Sequence, residues 1–506
     1  MRSRAAATAL LATLLAGCGS TVEGVSTNGA ANTNGSGLSA PTNSGSPGGL
    51  SGPGAVARGG AGPSGGGGSA AGGGAAVGAN TTTAGVGATS GSVPASGRGY
   101  DAKHVYLGFP TNNDVNKAAD TGLGATNFGD QPGQIKAIVA DVNRHGGILG
   151  RVVVPVLHDI KTADLETDAN SQAQATCAAF TEDTKVVAVV NIVAAIDLPS
   201  FYSCLAKHDT PLVSAGFVPA DDKFFATYAP YLYKLTAASF TQLAPVWIDR
   251  LATMGYFKGW NTTSGSSAAT PPKIGLLYPA VQPQQRDFAD IKRRLTARGY
   301  QVVKDYQYDV SSLDAESGSM GNAVLQMRNA GVTHILSSES DVLLFMEAAD
   351  SQHYRPRYAL TSYHAPAAQL QGFAPASQLT GSMGVGWLPS TDVDAAHSPG
   401  PVSGSETSCR ALMRAAGQDI SSATAAVVAF ALCDGVRLIA AGIAATKDPS
   451  SAGLHAGIAR LGPAFSSALT WRNGFASSRA ALPGAVREFA YNGSAYAYTS
   501  RTLYPL

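Results

Sequence analysis

The chain has 506 residues, with 35 Lys and Arg against 34 Asp and Glu, a formal charge of +1. So even a balance, with no dense basic run, excludes a nucleic-acid footprint, which needs several phosphate-neutralising side chains on one face. Of its 59 glycines, 26 fall between Gly19 and Gly99, a stretch without Phe, Trp or Tyr that cannot bury enough apolar surface to form a core.

Met1 to Gly17 reads as a secretion signal: Arg2 and Arg4, an Ala/Leu-rich run, then small residues. Residues 18–99 are predicted to be a disordered Gly/Ser-rich tether. Roughly 400 residues remain, which suits about two or three domains. They alternate strand and helix. His104–Phe109 is a short apolar strand. Gln134–Arg144 is helical, with Ile135, Ile138, Val139 and Val142 on one face, stopped by Gly146-Gly147. Val152–Leu157 is a strand that Pro155 confines to an edge or a bulge. Lys185–Val193 is an unbroken apolar run, as a strand covered on both faces requires. A helix through Leu205 and a short strand at Pro211–Ser214 follow.

After Tyr233 the rhythm restarts. Helices are expected at Gln242–Met254, Asp287–Arg298, Gly321–Asn329 and Asp341–Ser351. Strands are expected at Lys273–Tyr278, Gln301–Val303, Val332–Leu336, Tyr358–Thr361 and Met383–Trp387, with a polar loop over Gly259–Pro272. Two βα series separated by a loop predict an α/β protein of two doubly wound, Rossmann-like lobes, each with a mostly parallel sheet. The apolar segment Ser422–Ala445 is long enough to span a bilayer. Asp434 and Arg437 in its middle would each cost roughly 2.5–3.5 kcal/mol there, so it reads as a buried helix.

Leu15-Ala16-Gly17-Cys18 closes the signal and resembles the lipobox of bacterial lipoproteins. That resemblance implies cleavage before Cys18, diacylglycerol (palmitate-type) attachment to its thiol, and a membrane-anchored, exported protein on the outer face of the cell membrane. The other cysteines are Cys177, Cys204, Cys409 and Cys433. An even number in an exported chain argues for disulfides. Three pairings are open; proximity favours Cys177–Cys204 and Cys409–Cys433, closing loops of about 28 and 25 residues.

The segment Asp141-Val142-Asn143-Arg144-His145-Gly146-Gly147-Ile148-Leu149-Gly150-Arg151 resembles the first helix and turn of type I periplasmic binding proteins, in the leucine/isoleucine/valine-binding group. The later order is similar, through Val186–Val193, Pro211-Leu212-Val213-Ser214, Lys273–Tyr278 and Ala468-Leu469-Thr470-Trp471. The resemblance covers roughly residues 103–500. It implies an N-terminal lobe of residues 100–233 and 390–470 and a C-terminal lobe of 234–389 and 471–506. Three hinge segments would join them near residues 234, 389 and 471, with ligand in the cleft at the carboxyl ends of the strands. Open α/β sheets present loops and helix N-termini there.

By this alignment the ligand-facing candidates are Thr111, Asn112, Asp197, Ser214, Phe217, Tyr278, Glu339, Tyr363 and His364. Plainer roles stay open: Asp197, before Pro199, as a helix cap; Glu339 as an exposed first-turn acid; Tyr363 and His364 as ordinary surface. Ala194-Ala195 stand where the family has hydroxyls for a ligand carboxylate, which argues for a small polar metabolite other than a branched-chain amino acid. The function implied is a lipid-anchored solute-binding protein that closes on an amino acid or related metabolite and delivers it to the permease of an ABC transporter. Alternatives are a ligand-sensing receptor lipoprotein of the same fold and an exported hydrolase. No G-x-S-x-G elbow, H-E-x-x-H or clustered His/Asp/Glu supports the last, and no metal, cofactor or catalytic residue is expected.

Overall fold

A computed structural model describes residues 95–117, 127–310, 313–476 and 478–506. The expected signal segment, Cys18 and the expected tether up to residue 94 lie outside the described residues. The expected tether ends early, because residues 95–99 are already part of the fold. Gly99 is buried at φ +74°, with a Cβ there only 2.1 Å from the amide of Val187. Its carbonyl accepts from the amide of Tyr106, and Arg98 reaches Thr210 and the carbonyl of Thr181.

The first sheet has five parallel strands: β1 (His104–Thr111), β2 (Val152–Asp159), β3 (Ala188–Asn191), β4 (Leu212–Ser214) and β5 (Leu232–Lys234), in the order β2-β1-β3-β4-β5. The Pro155-containing strand is at the edge, where a missing amide donor costs least. The apolar run over 185–193 marks burial more widely than pairing: only 188–191 form the strand, and all four residues are buried. Helix α1 (Gln131–Arg144) starts three residues before its apolar periodicity, because Asp130 caps it by accepting from the amide of Gly133. The Asn-x-x-Gly-Gly signature has a mechanical reason. Gly146 and Gly147 sit at φ +96° and +67°, and a Cβ on Gly147 would lie 1.9 Å from the carbonyl oxygen of Arg151. Asn143 then ties the helix end to β2 twice, accepting from the amide of Val153 (2.7 Å) and donating to its carbonyl (2.9 Å).

Helices α2 (Thr162–Ala178), α3 (Pro199–Lys207) and α4 (Asp222–Tyr228) complete this stretch. The chain then leaves the first sheet. Helix α5 (Phe240–Thr253) packs on α6 (Gln284–Ala297) and, further on, the strand Met383–Gly386. A short hairpin, β6 (Trp260–Asn261) and β7 (Ser266–Ser267), interrupts the polar loop. The second sheet contains β8 (Lys273–Pro279), β9 (Gln301–Tyr308), β10 (His334–Ser337), β11 (Arg357–Thr361), β12 (Met383–Gly386), β13 (Ala485–Tyr491), β14 (Tyr496–Tyr498) and β15 (Tyr504–Pro505). Its order is β14-β13-β12-β11-β10-β8-β9, with β15 also on β13; β8 to β12 are parallel and β13 runs antiparallel to β12. Helices α7 (Leu313–Asn329) and α8 (Val342–Ser351) pack together here.

Between β12 and β13 the chain returns to the first sheet as α9 (Gly404–Ala415), α10 (Ala423–Thr446) and α11 (Ser451–Leu461). Helix α10 is apolar and long enough to cross a membrane, yet most of it is buried, packed on α11, α1 and β3. Its Asp434 accepts from Ser467 Oγ (2.5 Å) and the amide of Ala468 (2.8 Å), and Arg437 donates to the carbonyl of Ser405 (3.0 Å). Both expected disulfides form, Cys177–Cys204 joining α2 to α3 and Cys409–Cys433 joining α9 to α10.

Candidate functional site

A parallel sheet puts all its strand carboxyl ends on one edge, so loops after β4, β10 and β11 are where two such sheets can present side chains to one another. On the first lobe the loop after β4 is organised around Asp197. Ser214 Oγ donates to Asp197 Oδ1 (2.6 Å) and accepts from the amide of Gly216 (3.0 Å). The ammonium of Lys234, at the end of β5, pairs with Asp197 Oδ2, and both side chains are fully buried. Lys234 also donates to Tyr202 OH (3.1 Å), which donates to the carbonyl of Asp197 (2.5 Å). Burial pulls the Lys234 ammonium down from its ordinary pKa while Asp197 pulls it back up. Asp197 caps no helix: the residue before α3 is Leu198, and the carboxylate is spent on Lys234 and Ser214.

On the second lobe Tyr363 is central. Its ring stacks on Phe240 at 5.5 Å and meets Trp387 edge-on at 5.0 Å. Its hydroxyl donates to the carbonyl of Ala238 (2.5 Å), in the passage between the two sheets. Trp387 Nε1 donates to the carbonyl of Thr236, whose hydroxyl donates to the carbonyl of Gly216, so the two strand-end loops are linked through that passage. His364 is a structural residue rather than ordinary surface. Its Nδ1 accepts from the amide of Thr361 (2.9 Å), leaving Nε2 to donate to Ser337 Oγ (2.9 Å), and burial lowers its pKa to about 3.

Glu339 is buried as well, not an exposed first-turn acid; burial and the neighbouring Asp341 push its carboxyl well up. Asp341 rises to about 6 by burial while accepting from Tyr308 OH (3.0 Å), and Glu316 rises to about 10 for the same reason. Tyr278 stacks on Phe288 at 4.4 Å and accepts from Gln307 Nε2 (3.2 Å). Thr111 and Asn112 serve the first lobe itself: Thr111 Oγ1 donates to Asp159 (3.4 Å), and Asn112 accepts from Thr162 Oγ1 (3.1 Å) while its amide donates to Gln131 Oε1 (2.8 Å).

Where the strand-end loops meet there is a cavity with about 20 Å³ of water-accessible space, bounded by Phe217, Thr424 and Val427 from the first lobe and Ser340, Tyr363 and Gln369 from the second. Of the nine sequence-selected residues, Phe217 and Tyr363 line it. Asp197 and Ser214 support the loop carrying Phe217, and Glu339 precedes Ser340; Thr111, Asn112, Tyr278 and His364 lie off it. Thr424 and Val427 were not expected, since they open α10 rather than follow a strand. Their signal was Ser422, an N-cap that accepts from the amide of Ala425. Beside the cavity a groove of about 760 Å³ follows the 389–401 passage. Its charged members are engaged: Glu406 takes Arg410 (2.7 Å), and Asp394 caps its own turn.

Among the described residues one ion pair bridges the lobes. Arg286, on α6, holds Asp221, just before α4, with Nε at 2.7 Å and Nη2 at 3.0 Å. The neighbouring Asp287 has its carboxyl pushed well up by burial and by Asp221. Among the described residues no group of three or more His, Cys, Asp or Glu is arranged to hold a metal.

Residues 118–482 match the sequence model of a family described as periplasmic binding protein. No curated protein matches the sequence. Among solved structures, an ABC transporter solute-binding protein from R. palustris in complex with 4-hydroxybenzoate is similar at TM-score 0.55 and 14% identity, over 80% of this chain and 97% of that one. The branched-chain amino acid transporter substrate binding protein of Streptococcus pneumoniae, in complex with isoleucine, gives TM-score 0.54 and 14% identity over 80% and 99%. An extracellular ligand-binding receptor from Rhodopseudomonas palustris HaA2 gives 0.55 and 12% over 79% and 100%. These identities carry a likeness of fold alone. The family model spans most of the chain, and the chain belongs to the periplasmic binding protein family.

Proposed function

We propose that this protein is an extracytoplasmic solute-binding protein, anchored to the membrane by lipid on Cys18, that takes up a small solute between its lobes and hands it to the permease of an ABC transporter. The observation that carries this reading is the cavity walled by Phe217 and Val427 on one side and Tyr363 and Gln369 on the other. Its water-accessible space of about 20 Å³ holds about one water, so the lobes must part to admit anything larger. The proteins of similar fold were solved with isoleucine and 4-hydroxybenzoate bound, small solutes in both cases. A ligand that touches both walls favours closure because only then are all its contacts made.

Small-angle scattering should show a smaller radius of gyration when solute is bound, and Tyr363→Ala should weaken binding by about 1–3 kcal/mol, since it removes a wall and leaves a buried carbonyl without its donor. Tight binding with an unchanged radius and an indifferent Tyr363→Ala would refute capture between lobes. The anchor is read by mass: the mature chain should begin at Cys18 and carry acyl groups, and Cys18→Ala should carry none.

A further inference from the structure

We propose that Asp197 is a specificity-determining residue: its side chain fills the anion-binding corner of the first lobe, so that the solute taken between the lobes is one without a free carboxylate. The proposal rests on the solute-binding reading and names the ligand class of that site. The corner has the composition of a carboxylate receptor. A buried ammonium, Lys234 Nζ, and a buried hydroxyl, Ser214 Oγ, converge on one carboxylate, and that carboxylate belongs to the protein. It is filled to contact: a Cβ on Gly216 would stand 1.8 Å from Asp197 Oδ2, so only the bare backbone of glycine fits against it. The corner is tied to the ligand space through one loop: Ser214 Oγ holds the amide of Gly216, and the next residue, Phe217, lines the cavity.

Among the described residues lining the cavity no cation stands in for Lys234. Neither Lys nor Arg lines the cavity, and Arg286 is occupied on both of its facing nitrogens by Asp221. The ionisable groups that press on Tyr363 from the second lobe are Asp287 and Glu339, both acids whose burial favours the protonated form. A ligand carboxylate placed in the cavity would be a buried anion with no counter-charge on the cavity wall, whose desolvation nothing there offsets. An uncharged solute meets a matching wall instead: aromatic faces at Phe217 and Tyr363, and neutral donors and acceptors at Ser340, Gln369 and Thr424.

The corner can be tested without knowing the natural solute. In the full chain, Asp197→Ala vacates the carboxylate and leaves Lys234 and Ser214 facing the gap. Acetate at tens of millimolar should raise the melting midpoint of Asp197→Ala by a few degrees, while acetamide or chloride at equal ionic strength does not and wild type responds to none of them. The rescue should vanish in Asp197→Ala/Lys234→Met. Should Asp197→Ala fold poorly, refolding yield in acetate against acetamide reads the same point. Acetate acting no better than acetamide, or acting equally on wild type, would overturn the proposal, as would native mass spectrometry finding a carboxylic acid retained by wild type. An uncharged retained solute would support it. Failure of lobe closure in scattering bears on solute capture itself and is scored separately from these outcomes.

Discussion

Asp392 shows how a single buried carboxyl sets a pH response. It is fully buried in the passage after β12, where its Oδ2 accepts from Ser362 Oγ (3.0 Å), Tyr498 OH (3.0 Å) and the amide of Leu388 (2.9 Å). Burial outweighs these donors and raises its pKa from 3.8 to about 7. A raised folded-state pKa means the native state holds the proton more tightly than the unfolded chain. Its stabilisation is full below about pH 4, falls as pH rises towards 7, and is level above that. Asp392→Asn, which keeps the acceptor oxygen and cannot ionise, should therefore gain on wild type in thermal stability between pH 4 and 7, with the gap constant beyond; parallel melting curves for the two across that range would refute the assignment. Reading along the chain places Ser214 at the end of its strand and Asp197 and Tyr363 in the segments beyond theirs, because apolar runs mark where strands stop. What those side chains bond was not legible. The partner of Asp197 is 37 residues away at Lys234, and that of Tyr363 is 125 residues away at Ala238. Local pattern carries no signal over such separations, so plain alternatives such as a helix cap looked as good.

At the level of elements the strand and helix rhythm was legible, and the errors have physical sources. Helix α7 begins at Leu313, eight residues before the expected Gly321, because its first turns are polar and show no apolar stripe to count. Strand β9 runs on to Tyr308, well past Val303, since residues 304–307 are half-buried or exposed and read as loop. Glycines set helix contacts that no periodicity announces: a Cβ on Gly457 of α11 would lie 1.9 Å from the carbonyl oxygen of Gly442 in α10. The disulfides fasten helix to helix within one lobe each, so their loss should loosen local layers without changing the fold. Cys177→Ala/Cys204→Ala should lower unfolding free energy by about 3–4 kcal/mol in the chain-entropy picture. Denaturant titration checks this; a change under about 1 kcal/mol would mean the unfolded chain gains little from losing the link.

For the whole molecule, the Arg286–Asp221 pair is the clearest brace across the lobes. Arg286→Met keeps the stem of the side chain and removes the bidentate fork. It should enlarge the radius of gyration of the unliganded protein, at a cost of about 1 kcal/mol to the closed form, since the guanidinium is about a third exposed and partly screened. Scattering at low and high salt reads this directly: salt should open wild type and leave Arg286→Met unmoved. The chain's route between its sheets has a further consequence, for biosynthesis. The strands of the first sheet are all present once Lys234 has been made, but their main apolar cover, α10, begins only at Ala423. The edge of β12 likewise waits for β13, which begins at Ala485. The first lobe is complete only after α11 and the second only after β15, so a nascent chain exposes Val- and Ile-rich faces through much of its elongation. Such late, long-range closure delays folding and lengthens the time the apolar faces stand exposed, the same condition that keeps a chain loose enough to be threaded through a translocation channel.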